Sequence, residues 1–243
     1  MQTASQYFAR TESAVRHLFN GIDSYLDVLR EIRDVTFVSG RLPGPELDAE
    51  FAAWRAARAP QLAAAMAAQQ RFTAESFALD CLCGSVLQIA GKALDMYSTN
   101  ASIPNDWSGV IKPDTARYCI GRNIRTVPIG LAIYAARNQH THFNDDKLRE
   151  PSATILKRVA QGHGFTSDEP FADPAFDLGN PRILSLATNV TALLGWRSFD
   201  RYDVDMRGLL VDSEGDRTRH SARHCGRRLP CRPTNKDSVK SIA

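Results

Sequence analysis

Residues 83 to 97 read CGSVLQIAGKALDMY. Cys83, Val86, Leu87, Ala90, Leu94 and Tyr97 recur at intervals of three and four, which places them on one face of a 3.6-residue helix. Gly84 and Gly91 lie in the same stretch and mark candidate sites of close approach by another helix. Upstream, Leu62, Ala65, Met66, Gln69 and Phe72 continue one face, so the segment from Pro60 to Tyr97 is either one long helix or two. A further short stripe of Leu47, Phe51, Trp54 and Arg58 opens after Pro45. It should stop or kink at Pro60, whose ring excludes the carbonyl four residues back.

Nearer the N-terminus, Val15, Leu18, Phe19, Ile22, Tyr25, Leu26, Leu29, Ile32 and Val35 predict a helix from Thr11 to about Ser39, with Gly21 inside it. On the other side of the opening stretch, residues 98 to 113 read as a loop, and Asp114 is a candidate cap for a short helix through Ile120. Thr126 is a candidate N-cap, with Pro128 in the first turn, for a helix carrying Leu131, Tyr134, Ala135 and Asn138. Ala153 to Gln161 predicts a short helix stopped by Gly162 and Gly164, and Phe165 to Gly179 a surface loop. Asn180 and Pro181 then open a final helix through Ile183, Leu186, Val190, Leu193, Leu194 and Trp196. With no convincing β-alternation and no internal repeat, the list predicts an all-α fold, an antiparallel helical bundle with extra short helices.

Beyond Leu210 the apolar pattern gives way to Arg, His, Ser, Cys, Gly and Pro, too poor in apolar groups to offset the entropy of ordering. The expected organisation is one helical domain over residues 1–212 and a disordered basic tail over 213–243. The net charge is +3. The tail alone carries eight Lys or Arg against three acids, a local +5, which leaves about −2 for the rest. Such a balance is no nucleic-acid footprint by itself.

Five cysteines, irregularly spaced and not preceded by a signal-like segment, fit a reducing cytoplasm. No apolar run approaches the roughly 20 residues of a bilayer span, Leu62 to Ala68 being among the longest, so no membrane association is expected. Cys81 and Cys83, two apart in a helical pattern, face away from each other and read as core thiols. His220, His224, Cys225 and Cys231 in the tail lack a recognised zinc spacing. There is no Gly-rich phosphate loop, nucleophile elbow or His-Glu-x-x-His.

The most chemically loaded stretch is Ile129 to Asp146, IGLAIYAARNQHTHFNDD, an apolar run ending in Arg137-Asn138, two histidines and two acids. The Arg-x4-His interval recurs at Arg158 to His163 and at Arg219 to His224. Arg137 differs from those in the apolar helix before it, in Asn138 after it, and in the Phe143 and polar turn that follow His142. Asp145 and Asp146 lack a third metal-type ligand nearby and read as part of that turn, so neither metal nor cofactor is expected.

An Arg, a polar residue, a short spacer and a His at the end of an apolar helix resembles the HEPN superfamily (higher eukaryotes and prokaryotes nucleotide-binding), compact helical bundles. The resemblance covers about ten residues and the all-helical context. It implies metal-independent RNA cleavage, in which a ribose 2′-hydroxyl attacks the neighbouring phosphate to leave a 2′,3′-cyclic phosphate and a 5′-hydroxyl. It assigns Arg137 and His142 as catalytic and Asn138 as their support. It further implies a homodimer that brings two motifs together, RNA as substrate, and a possible regulatory protein partner.

The residue types suit that chemistry. A histidine titrates near neutrality and can take or give the proton, and an arginine fork matches a phosphorane-like dianion. His140 is a possible auxiliary, its blander role being a solvated imidazole at a helix end. Some toxin members carry a Tyr two residues after the motif His; here that position is Asn144. Five residues of ideal helix turn the chain by about 500°, leaving Arg137 and His142 some 140° apart unless the helix ends near Gln139 or the pair acts across a cleft. The alternatives are a non-catalytic HEPN-like protein binding RNA, nucleotide or protein, and an unrelated helical interaction protein.

Overall fold

Thr3 and Gln6 start the first helix reciprocally. The Gln6 amide N–H donates to Thr3 Oγ1 at 3.3 Å and the Thr3 N–H to Gln6 Oε1 at 3.2 Å, a capping box. In this computed structural model, which describes residues 3–30, 35–145, 147–161, 172–180 and 183–211, α1 therefore spans Ala4–Arg30. It begins seven residues before the apolar stripe suggested, and residues 35–39 are not helical, so the predicted end near Ser39 is also corrected. The 213–243 tail and its histidines and cysteines lie outside the described residues.

α2 spans Pro45–Ala57 and α3 spans Ala59–Tyr97, with the break at Arg58 that Pro60 demands. The opening stretch thus belongs to one unbroken 39-residue helix. By length and composition α3 is apolar enough to cross a membrane, and half of its most apolar window is buried inside the fold, as in the core helix of a globular bundle. Its second half is the spine of the core, with Leu79, Cys83, Val86, Leu87, Ala90, Ala93 and Leu94 nearly inaccessible.

After α3 the chain makes two 3-10 turns, Asn105–Trp107 and Pro113–Tyr118. Asp114 lies inside the second rather than capping it, because Pro113 already occupies its first position. A two-residue antiparallel pairing follows, β1 (Asn123–Ile124) with β2 (Val127–Pro128), in the register Asn123 to Pro128 and Ile124 to Val127. Thr126, predicted as a helix cap, sits in that turn, and Pro128 directly precedes α4, Ile129–Thr141. Arg125 takes the left-handed conformation at φ 56°, costly for a side chain of this size. Its guanidinium is anchored by the Val159 carbonyl, by Asp173 at 2.6 Å and by the Phe176 ring.

α5 spans Ser152–Ala160, as predicted to within a residue. The helix expected from Asn180 to Trp196 is shorter: α6 spans Ala187–Leu193. Residues 181–182 lie outside the described residues, and 183–186 are not helical. The Gln139 side chain explains this by gripping that segment at both ends, donating to the Leu184 carbonyl at 3.1 Å and accepting from the Leu186 N–H at 2.8 Å. At its far end α6 stops in a Schellman arrangement. Trp196 N–H bonds Thr191 O, Gly195 N–H bonds Ala192 O, and Gly195 has φ 75°. A helix that no sequence pattern announced, α7, then covers Phe199–Leu210.

Contacts fix the directions. Tyr7 reaches Ile89 and Gly21 meets Leu82, so α1 runs antiparallel to α3. Arg137 meets Gly91 and His140 meets Gly84, so α4 also runs antiparallel to α3. Thr188 bonds Asp80 and Thr191 lies against Cys83, so α6 runs parallel to α3. Arg207 covers Phe8 and Arg16 covers Phe199, which sets α7 antiparallel to α1. The fold is all-α, and among the described residues the β1–β2 pairing is the one strand ribbon.

Candidate functional site

Gly84 and Gly91 are the close-approach points anticipated from the sequence, and what they receive are polar side chains of α4. A Cβ on Gly84 would lie 2.1 Å from His140 Nε2, and one on Gly91 would lie 2.8 Å from Arg137 Cδ. These two contacts set which way the loaded end of α4 faces.

Arg137 points at α3. Its Nη1 donates to Asp95 Oδ2 at 2.9 Å and to the Tyr118 hydroxyl at 3.1 Å, and the guanidinium lies to one side of the mutually packed Tyr118 and Tyr134 rings, 5.7 and 5.6 Å from their centroids. Tyr118 in turn donates to Asp95 Oδ1, and burial together with that carboxylate pushes the phenol's pKa upward. Only 17% of the Arg137 side chain is exposed. A buried ion pair broken on one side costs about 3–5 kcal/mol, less here because Asp95 is 36% exposed. Asp95→Ala is accordingly expected to cost about 2 kcal/mol in denaturant titration. An Arg137→Met, Asp95→Ala double variant should recover part of that loss, since no uncompensated charge remains.

Asn138 connects Arg137 to the next surface. Its Oδ1 accepts from Arg137 Nε and Nη2 at 3.4 and 3.3 Å, and its Nδ2 donates to Ser152 Oγ at 3.1 Å at the start of α5. Beside it opens a cleft of about 280 Å³ lined by Tyr134, Asn138, His142, Asp145, Leu148, Arg149, Glu150 and Ser152. Asn138 and His142 share this cleft because they are one helical turn apart. The lining does not include Arg137, for the rotational reason read from the sequence: α4 persists through Thr141, so the five-residue interval separates the two.

His142 is the C-cap of α4, with its N–H bonded to the Asn138 carbonyl at 3.0 Å. Its side chain is 57% exposed, and Nδ1 lies 3.3 Å from Asp145 Oδ2. Asp145 thus belongs to the polar turn, as read from the sequence, and lies against the imidazole. Asp146 is outside the described residues. Among the described residues no group of three His, Cys, Asp or Glu is placed to hold a metal ion.

His140 is not the solvated helix-end imidazole expected. It packs on Gly84, its Nδ1 lies 2.9 Å from Ser185 Oγ, and burial lowers its pKa, opposed by the nearby Asp80 carboxylate. Asp80 accepts from the Thr188 N–H and hydroxyl, and its own pKa is raised by burial against those bonds. The fold therefore favours neutral His140. That stability is fully present above the ordinary histidine value near 6.5 and is lost as pH falls through the lower folded value. Raised Asp80 acts oppositely, and at more acidic pH. Urea midpoints measured from about pH 7.5 down to 5 should fall, and His140→Asn should flatten that slope.

Several contributors had no signal in the sequence. Asp95 and Tyr118 lie 42 and 19 residues from Arg137, and Ser152 opens a separate helix. Arg149 was visible only as one charge in the mixed run DDKLRE. The other described Arg of an Arg-x4-His pair, Arg158, is structural: it donates to the Asp106 carbonyl at 2.8 Å and covers Trp107 at 4.2 Å. Cys83 is a core thiol, pushed up to about 11 by burial, while Cys81 is exposed. No family model, curated protein or solved structure matches this chain.

Proposed function

We propose that the cleft at the end of α4 is the active site of a metal-independent endoribonuclease of HEPN type. His142 exchanges the proton between the ribose 2′-hydroxyl and the leaving oxygen, giving a 2′,3′-cyclic phosphate and a 5′-hydroxyl. Asn138 is the amide support, and Arg137 adds positive charge behind it. The observation that carries this reading is that Asn138 lies in one cleft with exposed His142 while bonding Arg137, so the three motif residues form a connected unit. One cleft holds one imidazole, and a homodimer that apposes two clefts supplies the second acid or base. RNA is the substrate, a regulatory protein is a further partner, and the cytoplasm is the setting.

A second reading, a non-catalytic HEPN-like protein that binds RNA, nucleotide or a protein, is favoured by the pairing of Arg137 with Asp95, which already neutralises the guanidinium. Cleavage of total RNA in excess EDTA by the wild type, Arg137→Ala and His142→Ala separates the two. Cleavage lost in His142→Ala supports the first reading. Cleavage that survives both substitutions rejects the site, and no cleavage by the wild type selects binding.

A further inference from the structure

We infer that Arg149 is the phosphate-binding cation of the cleft, and that its ligand is the phosphate monoester or diester of a single nucleotide unit. This rests on reading the cleft as a nucleotide site. A phosphate there needs a cation on the cleft wall, and Arg137 is not one: four of its five N–H donors go to Asp95, Tyr118 and Asn138, and the cleft lining excludes it. Arg149 lines the same cleft as His142 and Asn138, is exposed, and has no ion-pair partner among the described residues. Its planar fork is the geometry that grips phosphate oxygens two at a time.

At the start of α5 two backbone donors are already engaged. Ala153 N–H bonds the Arg149 carbonyl at 3.3 Å and Thr154 N–H bonds Glu150 Oε2 at 3.2 Å. The side chains of the lining add their own donors. Asn138 Nδ2 carries two hydrogens, one of which Ser152 uses, leaving one for a phosphate oxygen. A cleft of about 280 Å³ sits at the small end of ligand pockets, which run from roughly 300 Å³. That size suits one nucleotide unit rather than a run of stacked bases.

The test is calorimetric titration of the full chain with adenosine 3′-monophosphate, with adenosine as the uncharged control. The expected result is that the monophosphate binds and adenosine binds at least ten-fold more weakly. Arg149→Gln should lose ten-fold or more, Arg149→Lys should lose less, and Lys147→Gln, a neighbouring exposed cation outside the lining, should stay within two-fold. Equal binding of adenosine, full binding by Arg149→Gln, or an equal loss in Lys147→Gln would overturn the assignment. Binding does not require turnover, so the two readings fail separately. If RNA is not cleaved but the monophosphate binds through Arg149, the ribonuclease reading falls and the subsite stands. If RNA is cleaved with an unchanged KM by Arg149→Gln, the reverse holds.

Discussion

Replacing His142 with alanine is expected to lower RNA cleavage in excess EDTA roughly 10²- to 10⁴-fold, the usual contribution of a positioned general acid or base. The unfolding midpoint should barely move. His142 is more than half exposed, lies beyond the last turn of α4, and touches Asp145 in the turn that follows. Surface substitutions of this kind stay within about 0.5 kcal/mol. The backbone N–H bond to Asn138 that ends the helix survives any side-chain change. A large loss of activity with an intact midpoint would separate chemistry from fold. A matching loss of both would mean that the imidazole holds the helix end.

Gly130→Ala should show the opposite profile. In most helices this change adds up to about 1 kcal/mol, because glycine is the more flexible residue. Here the new Cβ would lie 2.4 Å from the Tyr118 carbonyl oxygen and 3.1 Å from its carbon, both backbone atoms that no rotamer change can move. The Gly130 N–H also bonds the Ile120 carbonyl at 3.2 Å, which holds the two segments together. Relief requires α4 to shift as a body. The expected cost is about 3 kcal/mol, at the upper end of overpacking, or roughly 10 °C in melting temperature for a chain of this size. Gly208→Ala in α7, where a Cβ meets nothing within 4 Å, is the control and should be neutral or mildly stabilising. Equal effects of the two would refute the steric argument.

Periodicity made the helices legible where one face is buried, as in α3, α4 and α5. It failed where a distant side chain decided the backbone. Asn180 followed by proline carries every local mark of a helix start, yet Gln139, more than 40 residues away, holds 184–186 out of the helix by capturing its backbone groups. The start of α1 was missed for a different reason: Thr3 and Gln6 cap it before the apolar stripe begins. Asn138 and His142 could be paired from their spacing of four, and the divergence of Arg137 from His142 followed from their spacing of five. What spacing could not supply was the counter-ion. Asp95 and Tyr118 come from other turns of the chain, and only the packing of α4 on α3 shows that Arg137 is engaged.

The seating of His140 on Gly84 and Arg137 on Gly91 has a mechanical meaning. Two bulky side chains pressed against two bare backbone positions act as pegs in notches, so α4 can neither slide along α3 nor roll on it without lifting clear. The wall of the cleft that carries Asn138 is therefore a fixed anvil. The opposite wall carries Leu148 and Arg149, which sit between helices rather than within one.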